Sequence, residues 1–435
     1  MNTADHRARR RRLLTQWEDG IAIIPTNSVQ RRNADSDFPF RTDSDFYYLT
    51  GFDEPESILV LCPGRQEGEE LLFLRPKDPE RETWDGRRLG VELAPETLGV
   101  DQAFDRAQFG PMLAELLAGR RELHFRFGWN PELDREVLDA VHRLRFKPRQ
   151  RFGAPEVIRD PGTAIHEMRL FKEPAELDLM RRAAEITAAG HAAAARGARD
   201  ASHEYEIQAA LEYEFRRHGA EGPAYGSIVA AGCNATILHY VENDGPVRGD
   251  ELLLIDAGAE FQYYAADLTR TYPVSGRFTT PQRQVYELVL AAQRAALEQV
   301  RPDVAFDAFH EAVVDTLVDG FLDFGWLAGS KEEILESGAY RRFYMHKSGH
   351  WLGLDVHDAG RYFDQGTENR ALTPGMVLTV EPGIYIGEQD ETVPEQFRGI
   401  GVRIEDDVLV TAEGHEVLTP QVPKEPAELE AWMKR

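Results

Sequence analysis

Apolar runs that end on an acidic residue constrain this chain most. Leu252-Leu253-Leu254-Ile255 runs straight into Asp256, and Asp267 follows eleven residues later within Ala265-Ala266-Asp267-Leu268-Thr269. Such runs read as strands. A hairpin turning between Phe261 and Gln262 would set 256 directly opposite 267, with Cβ atoms about 5 Å apart. The intervening Glu260-Phe261-Gln262-Tyr263 lacks the Asn-Gly or Gly-X pair that tight hairpins favour. Two further acids have the same character: Glu381 closes Met376-Val377-Leu378-Thr379-Val380 ahead of Pro382-Gly383, and Glu405 closes Ile400-Gly401-Val402-Arg403-Ile404. Taken singly, each acid reads as a mere strand end. Taken together they suggest a buried cluster, and charged side chains are rarely buried unless paired or bound to metal.

Histidine supplies a fifth element. Of 13 histidines, His346, His350 and His357 fall within twelve residues. The four-residue spacing of His346 and His350 mimics a zinc-binding helix, but no Glu follows His346, and Gly349 and Gly353 disfavour a helix, so a strand or loop is expected. Carboxylates about 4 Å apart repel by about 4 kcal/mol at an effective dielectric near 20, so Asp256, Asp267, Glu381 and Glu405 packed together would protonate or separate without cations. Two divalent ions would cancel the four charges. Oxygen-rich ligation with a single nitrogen favours Mn²⁺, Co²⁺ or Fe²⁺ over a structural zinc site.

The surrounding pattern places this cluster in the second of two domains. In the first, the strand-like runs at 21–24, 57–61 and 70–74, followed by helical periodicity between Phe109 and Val141, suggest a small α/β unit. Pro155, Pro161 and Gly162 mark a linker, and a helix opens at Pro174. The expected domains are 1–172 and 173–435, the second an α+β unit whose helices stand apart from a mostly antiparallel sheet. The 435 residues carry 50 Lys and Arg against 75 Asp and Glu, a net charge of −25, which argues against nucleic acid or an anionic membrane as a partner. The basic run His6-Arg7-Ala8-Arg9-Arg10-Arg11-Arg12 has no apolar segment behind it and reads as a solvated helix start rather than a targeting signal. Two cysteines, at 62 and 233, offer no disulfide framework. A cytoplasmic protein is expected.

The contexts of the five residues carry a resemblance. Asp256 and Asp267, His350 in His-Trp-Leu-Gly-Leu-Asp-Val-His-Asp, Glu381 in Thr-Val-Glu-Pro-Gly-Ile-Tyr and Glu405 in Gly-Val-Arg-Ile-Glu-Asp-Asp resemble the metal ligands of pita-bread-fold peptidases, and within them the aminopeptidase P (Xaa-Pro aminopeptidase) family. The likeness extends to Asn33-Ala34-Asp35-Ser36, Phe46-Tyr47-Tyr48-Leu49-Thr50-Gly51-Phe52 and Trp84-Asp85-Gly86-Arg87-Arg88-Leu89-Gly90. It implies an aminopeptidase P-like N-terminal α/β domain followed by a pita-bread catalytic domain. It also implies two divalent metals per subunit, Mn²⁺ first with Co²⁺, Fe²⁺ or Zn²⁺ as alternatives, and removal of the first residue from peptides with proline second by a metal-bridging hydroxide.

By that resemblance Asp256 holds one metal, Asp267 and Glu405 bridge both, and His350 and Glu381 complete the second. Glu381 doubles as general base, His239 and His357 orient substrate and donate to the oxyanion, and His346 is a further site histidine. Arg403, two residues before Glu405, would hold that carboxylate. Asp35, Trp84, Arg149, Tyr225 and Arg370 fall where the family keeps substrate-binding residues. Trp84 closing over a neighbouring subunit's site would imply a homo-oligomer, a dimer or tetramer. Lys347-Ser348-Gly349 departs from the smaller, uncharged residues expected before the ligand histidine.

Prolidases share the fold and ligands but cleave dipeptides; Trp351 and the first-domain motifs favour aminopeptidase P. Creatinase-like enzymes and non-catalytic pita-bread binding modules predict eroded ligands, and all five are intact. Methionine aminopeptidase would not need the first 172 residues.

Overall fold

The computed structural model describes residues 1–146, 152–364, 366 and 368–434. The chain divides between Met168 and Arg169 into two compact units. In the first, six strands form a mixed sheet in the order Gln102–Asp105, Glu70–Leu74, Ile58–Leu61, Gly20–Pro25, Glu122–His124, Val157–Arg159. The three central strands alternate Ile21, Ile23, Ile58, Val60, Leu71 and Phe73 onto one face. That face packs against Phe109, Leu113 and Leu117 of helix Phe109–Leu117 and Leu133, Val137 and Val141 of helix Pro131–Arg145. Val157–Arg159 pairs in parallel with Glu122–His124, so the stretch expected to be linker contributes an edge strand.

The basic run near the amino terminus is not a solvated helix start. Within helix Thr3–Gln16, Arg9 and Arg10 are fully buried. Arg10 donates from Nε to Glu70 Oε2 at 2.7 Å and from its two terminal nitrogens to the carbonyls of Leu49, Leu98 and Gly99. Arg9 lies 3.8 Å over the Tyr48 ring. These guanidiniums stay charged in the interior because carbonyls and one carboxylate from distant segments replace their water.

The second unit is α+β. Long helices Pro174–Gly197, Glu204–Arg217, Thr280–Gln299 and Ala308–Asp323 flank small antiparallel sheets. One sheet orders Ile228–Ala231, Leu252–Asp256 and Thr269–Pro273; another orders Val377–Val380, Asp406–Thr411 and Gly414–Val417; Gly383–Tyr385 pairs with Gly401–Arg403. Buried Val229, Leu253, Ile255, Tyr272, Val289, Val313, Leu378 and Val408 share one core.

The central hairpin has a different register from the one expected. Glu260 pairs with Ala265 and Asp256 with Thr269, a slip of two residues. The turn is centred on Gln262 and Tyr263, both at positive φ (48° and 69°), the backbone of the tight hairpin turn usually supplied by Asn-Gly. A slip of two leaves every side chain on its face, so Asp256 and Asp267 remain neighbours, diagonal rather than opposite. Opposite Asp267 stands Gly258, where a Cβ would fall 1.7 Å from the carbonyl oxygen of Ala266. Among the described residues no helix is long and apolar enough to cross a membrane.

Candidate metal centre and active site

All four acids lie where a strand stops. Asp256 is the last residue of Leu252–Asp256, and Asp267 stands between Tyr264–Ala265 and Thr269–Pro273. Glu381 and Pro382 separate Val377–Val380 from Gly383–Tyr385; Ile404 and Glu405 separate Gly401–Arg403 from Asp406–Thr411. At each break the backbone finds another partner. The Glu381 amide donates to Ser348 O (2.9 Å), the Glu405 amide to Thr269 O (3.0 Å), and the Asp267 amide to the Asp407 carboxylate at 3.1 and 3.2 Å. The strand ends therefore stay ordered while the acids project together.

The side chains converge on one cavity of about 560 Å³, lined by Tyr225, His239, Asp256, Asp267, His346, Lys347, His350, His357, Glu381, Arg403 and Glu405 among others. Ligand atoms of Asp267, His350 and Glu405 lie within 4.8 Å of one another. His350 Nδ1 is 3.0 Å from the carbonyl of Trp351, which can only accept, so Nδ1 carries a proton and Nε2 faces Asp267 (3.5 Å) and Glu381 (3.6 Å).

Electrostatics show what the cluster lacks. Burial pushes Glu381 up to about 7, with His350 opposing and Asp267 adding to the rise. Glu405 is driven well above the usual carboxylate range by burial and then by Asp267, Glu381 and Asp256. His350 is raised to about 9: burial disfavours its charge, but the hydrogen bond to Asp267 and the charge of Glu381 outweigh that. The Tyr225 hydroxyl sits 2.6 Å from Asp256 Oδ1 and 2.5 Å from Asp267 Oδ1, yet has one proton to give. One carboxylate contact is left uncompensated. Acids that retain protons, and two carboxylates sharing one hydroxyl, fit a centre built for divalent cations.

Arg403 departs from its expected role. It is buried (4% exposed), which excludes a surface salt bridge. Its direct carboxylate partner is Asp256, at 2.5 Å from Nη2; Nε donates to Thr269 Oγ1 (3.2 Å), and Thr269 in turn donates to Glu405 (2.7 Å). Nη1 donates to the Tyr385 hydroxyl (2.9 Å), itself 2.9 Å from His346 Nε2, while His346 Nδ1 meets the Lys347 carbonyl at 2.7 Å. Burial, then the charge of Arg403, holds His346 down to about 4, so it serves this chain of bonds as a neutral ring.

The remaining expected residues separate into groups. His239 and His357 are exposed on the cavity wall, and the His357 ring stands 4.2 Å from that of His350. Arg370 lies outside the cavity lining, with its guanidinium 5.7 Å over Phe171 and its amide bonded to the carbonyl of Tyr362, which does line it. Asp35 and Trp84 belong to the first unit, Trp84 82% exposed on helix Pro79–Asp85. Arg149 lies outside the described residues. Sequence reasoning missed Thr269, Tyr385 and Asp407. A signal for Thr269 existed: Asp267, Thr269 and Thr271 place polar groups at every second position of a buried strand.

Residues 178–412 match the family model described as metallopeptidase family M24, and residues 6–124 match aminopeptidase P, N-terminal domain. The chain belongs to metallopeptidase family M24. The Xaa-Pro aminopeptidase of Haemophilus influenzae is 46% identical over 428 residues, covering 98% of this chain and 96% of that protein. The Pseudomonas aeruginosa aminopeptidase PepP structure matches with a TM-score of 0.97 at 47% identity, covering 100% of this chain and 98% of that one. Zinc-substituted Escherichia coli aminopeptidase P in complex with product matches with a TM-score of 0.96 at 43% identity, with the same coverage. The resemblance drawn from the ligand contexts and the fold it implied, an aminopeptidase P N-terminal domain before a pita-bread unit, both hold.

Proposed function

We propose that this chain is an Xaa-Pro aminopeptidase, a metal-dependent exopeptidase releasing the first residue of peptides whose second residue is proline. The observation that carries this reading is the convergence of Asp256, Asp267, Glu381, Glu405 and His350 on one cavity in a chain of this family. Asp256 would hold one divalent cation and His350 with Glu381 a second, Asp267 and Glu405 reaching both, with Mn²⁺ the first choice. Bound there, the cations supply Lewis acidity toward the scissile carbonyl and lower the pKa of water.

The chain's own groups do the rest. Glu381, whose carboxylate faces the cavity beside His350, would accept a proton and return it to the leaving proline nitrogen. His357 lines the cavity with its ring 4.2 Å from that of His350, and its neutral ring would donate to the carbonyl oxygen as charge develops. His239 faces the same cavity and orients the peptide. Tyr225 and Arg403 hold Asp256 in place. Asp35, Trp84, Arg149 and Arg370 are assigned to substrate binding, Trp84 from a neighbouring subunit of a homo-oligomer, and the protein to the cytoplasm.

The test is release of the first residue from Ala-Pro and from Ala-Pro-Ala, after chelation and after Mn²⁺ is restored. Metal-dependent cleavage of the tripeptide supports the proposal. Turnover of the dipeptide alone makes the chain a prolidase, and turnover of neither favours a binding module.

A further inference from the structure

The cavity has one feature that neither the cation centre nor the proton transfers use. Lys347 lies on its wall, between His346 and the loop that carries His350, with its side chain 68% exposed. The other permanent cation of the lining, Arg403, is buried and committed to Asp256, Tyr385 and Thr269. The buried end of the cavity is acidic, with Glu405 2% and Asp267 5% exposed, whereas His239, Val241, Lys347 and His357 stand open to solvent and mark the mouth. An enzyme that removes one residue keeps that residue inside and lets the rest of the peptide leave by the mouth. Whatever follows the proline leaves through this rim, where Lys347 is the exposed permanent cation of the lining.

We infer that Lys347 is a specificity residue that selects a carboxylate just beyond the proline, either an acidic third side chain or the C-terminal carboxylate of a tripeptide; this rests on the Xaa-Pro aminopeptidase reading. Its present partner is weak enough to be displaced. Asp307 Oδ2 lies 3.7 Å from the ammonium, beyond a short hydrogen bond, and pairs of this exposure contribute little. With a net charge of −25 the protein repels acidic peptides over most of its surface, so one mobile cation at the mouth changes which of them enter.

The experiment compares kcat/KM of the Mn²⁺-loaded protein on Ala-Pro-Ala-amide, Ala-Pro-Glu-amide and Ala-Pro-Ala with a free carboxylate, and repeats the comparison with Lys347→Gln, Lys347→Glu and Asp307→Asn. The expected result is a preference of about two- to fivefold for one or both acidic peptides over the neutral amide, shrinking as salt is raised. The preference vanishes in Lys347→Gln, inverts in Lys347→Glu and widens in Asp307→Asn. The arm showing it distinguishes side chain from terminus. Equal ratios in wild type and Lys347→Gln overturn the inference while leaving the peptidase reading intact, whereas failure of the wild type to cleave any of the three overturns both.

Discussion

Arg403 Nη2 donates to Asp256 Oδ2 at 2.5 Å from a guanidinium only 4% exposed, so Asp256 has a buried permanent cation to itself, whereas the other three cavity acids share the imidazole of His350. That asymmetry orders the site: Asp256 is anchored by Arg403 and Tyr225, while Asp267, Glu381 and Glu405 crowd together with His350.

Arg403→Ala strands Asp256 and Tyr385 in the interior. Loss of one partner of a buried pair costs about 3 to 5 kcal/mol, and losing a group that orients a ligand weakens metal binding by about 10- to 100-fold. Denaturant unfolding and Mn²⁺ titration read the two effects. Arg403→Lys recovers only part of each, because one ammonium cannot serve Asp256, Tyr385 and Thr269 at once. Unchanged Mn²⁺ affinity in Arg403→Ala would remove this residue from the support of the centre.

The metal-free protein loses stability as pH rises from about 7 to 9. Glu381 (ordinarily 4.5, here about 7) and His350 (ordinarily 6.5, here about 9) both bind protons more tightly folded than unfolded. Above about pH 7 the folded state therefore carries excess protons and the slope of stability with pH is negative; below 6.5 His6, His191, His310 and His346, each held near 4 by burial, take up protons more readily unfolded and oppose these two groups. Glu381 contributes its loss up to about pH 7. The favourable contribution of His350 is complete below 6.5 and gone above about 9. Thermal melts of chelated and Mn²⁺-loaded protein from pH 5 to 9 should diverge as pH rises, because cations replace those protons. Calorimetry in buffers of different ionisation enthalpy at pH 7 should show proton release on Mn²⁺ binding.

Gly258→Ala should disrupt the hairpin that carries Asp267. Its Cβ would meet a backbone oxygen at 1.7 Å, which no rotamer change relieves. The loss should be about 3 kcal/mol or more in unfolding free energy, or failure to fold. A soluble variant of unchanged stability would contradict the register found for this hairpin.

His357→Ala should retain its cations and lose turnover, about 10²- to 10³-fold in kcat, as expected when one donor to a developing oxyanion is removed. Metal analysis beside kinetics separates the roles: loss of bound metal would make His357 a ligand.

The acids at strand ends and the His350 loop were legible in the sequence, because apolar runs that stop on a carboxylate leave a periodic trace. What stayed hidden depends on pairings across long separations. Arg9 and Arg10 read as solvated because their neighbours are basic, but the carbonyl of Tyr48 accepts from Arg9, and Glu70 and the carbonyls at 49, 98 and 99 accept from Arg10. The hairpin register was missed by two because Gln262 and Tyr263 take positive φ without glycine. The partner of Arg403 was placed on Glu405, its neighbour in sequence, whereas the fold brings Asp256 across 147 positions to meet it. Asp407, which caps the Asp267 amide from a separate strand, left no sequence signal of its own.

The most direct test of the proposed centre is to titrate chelated protein with Mn²⁺ while following both bound metal and hydrolysis of Ala-Pro-Ala, in wild type and in Asp267→Asn. Wild-type activity should return as two ions bind per chain, and the folded variant should neither hold the pair nor cleave. Turnover by the metal-free wild type, or full metal and activity in Asp267→Asn, would contradict the proposed centre.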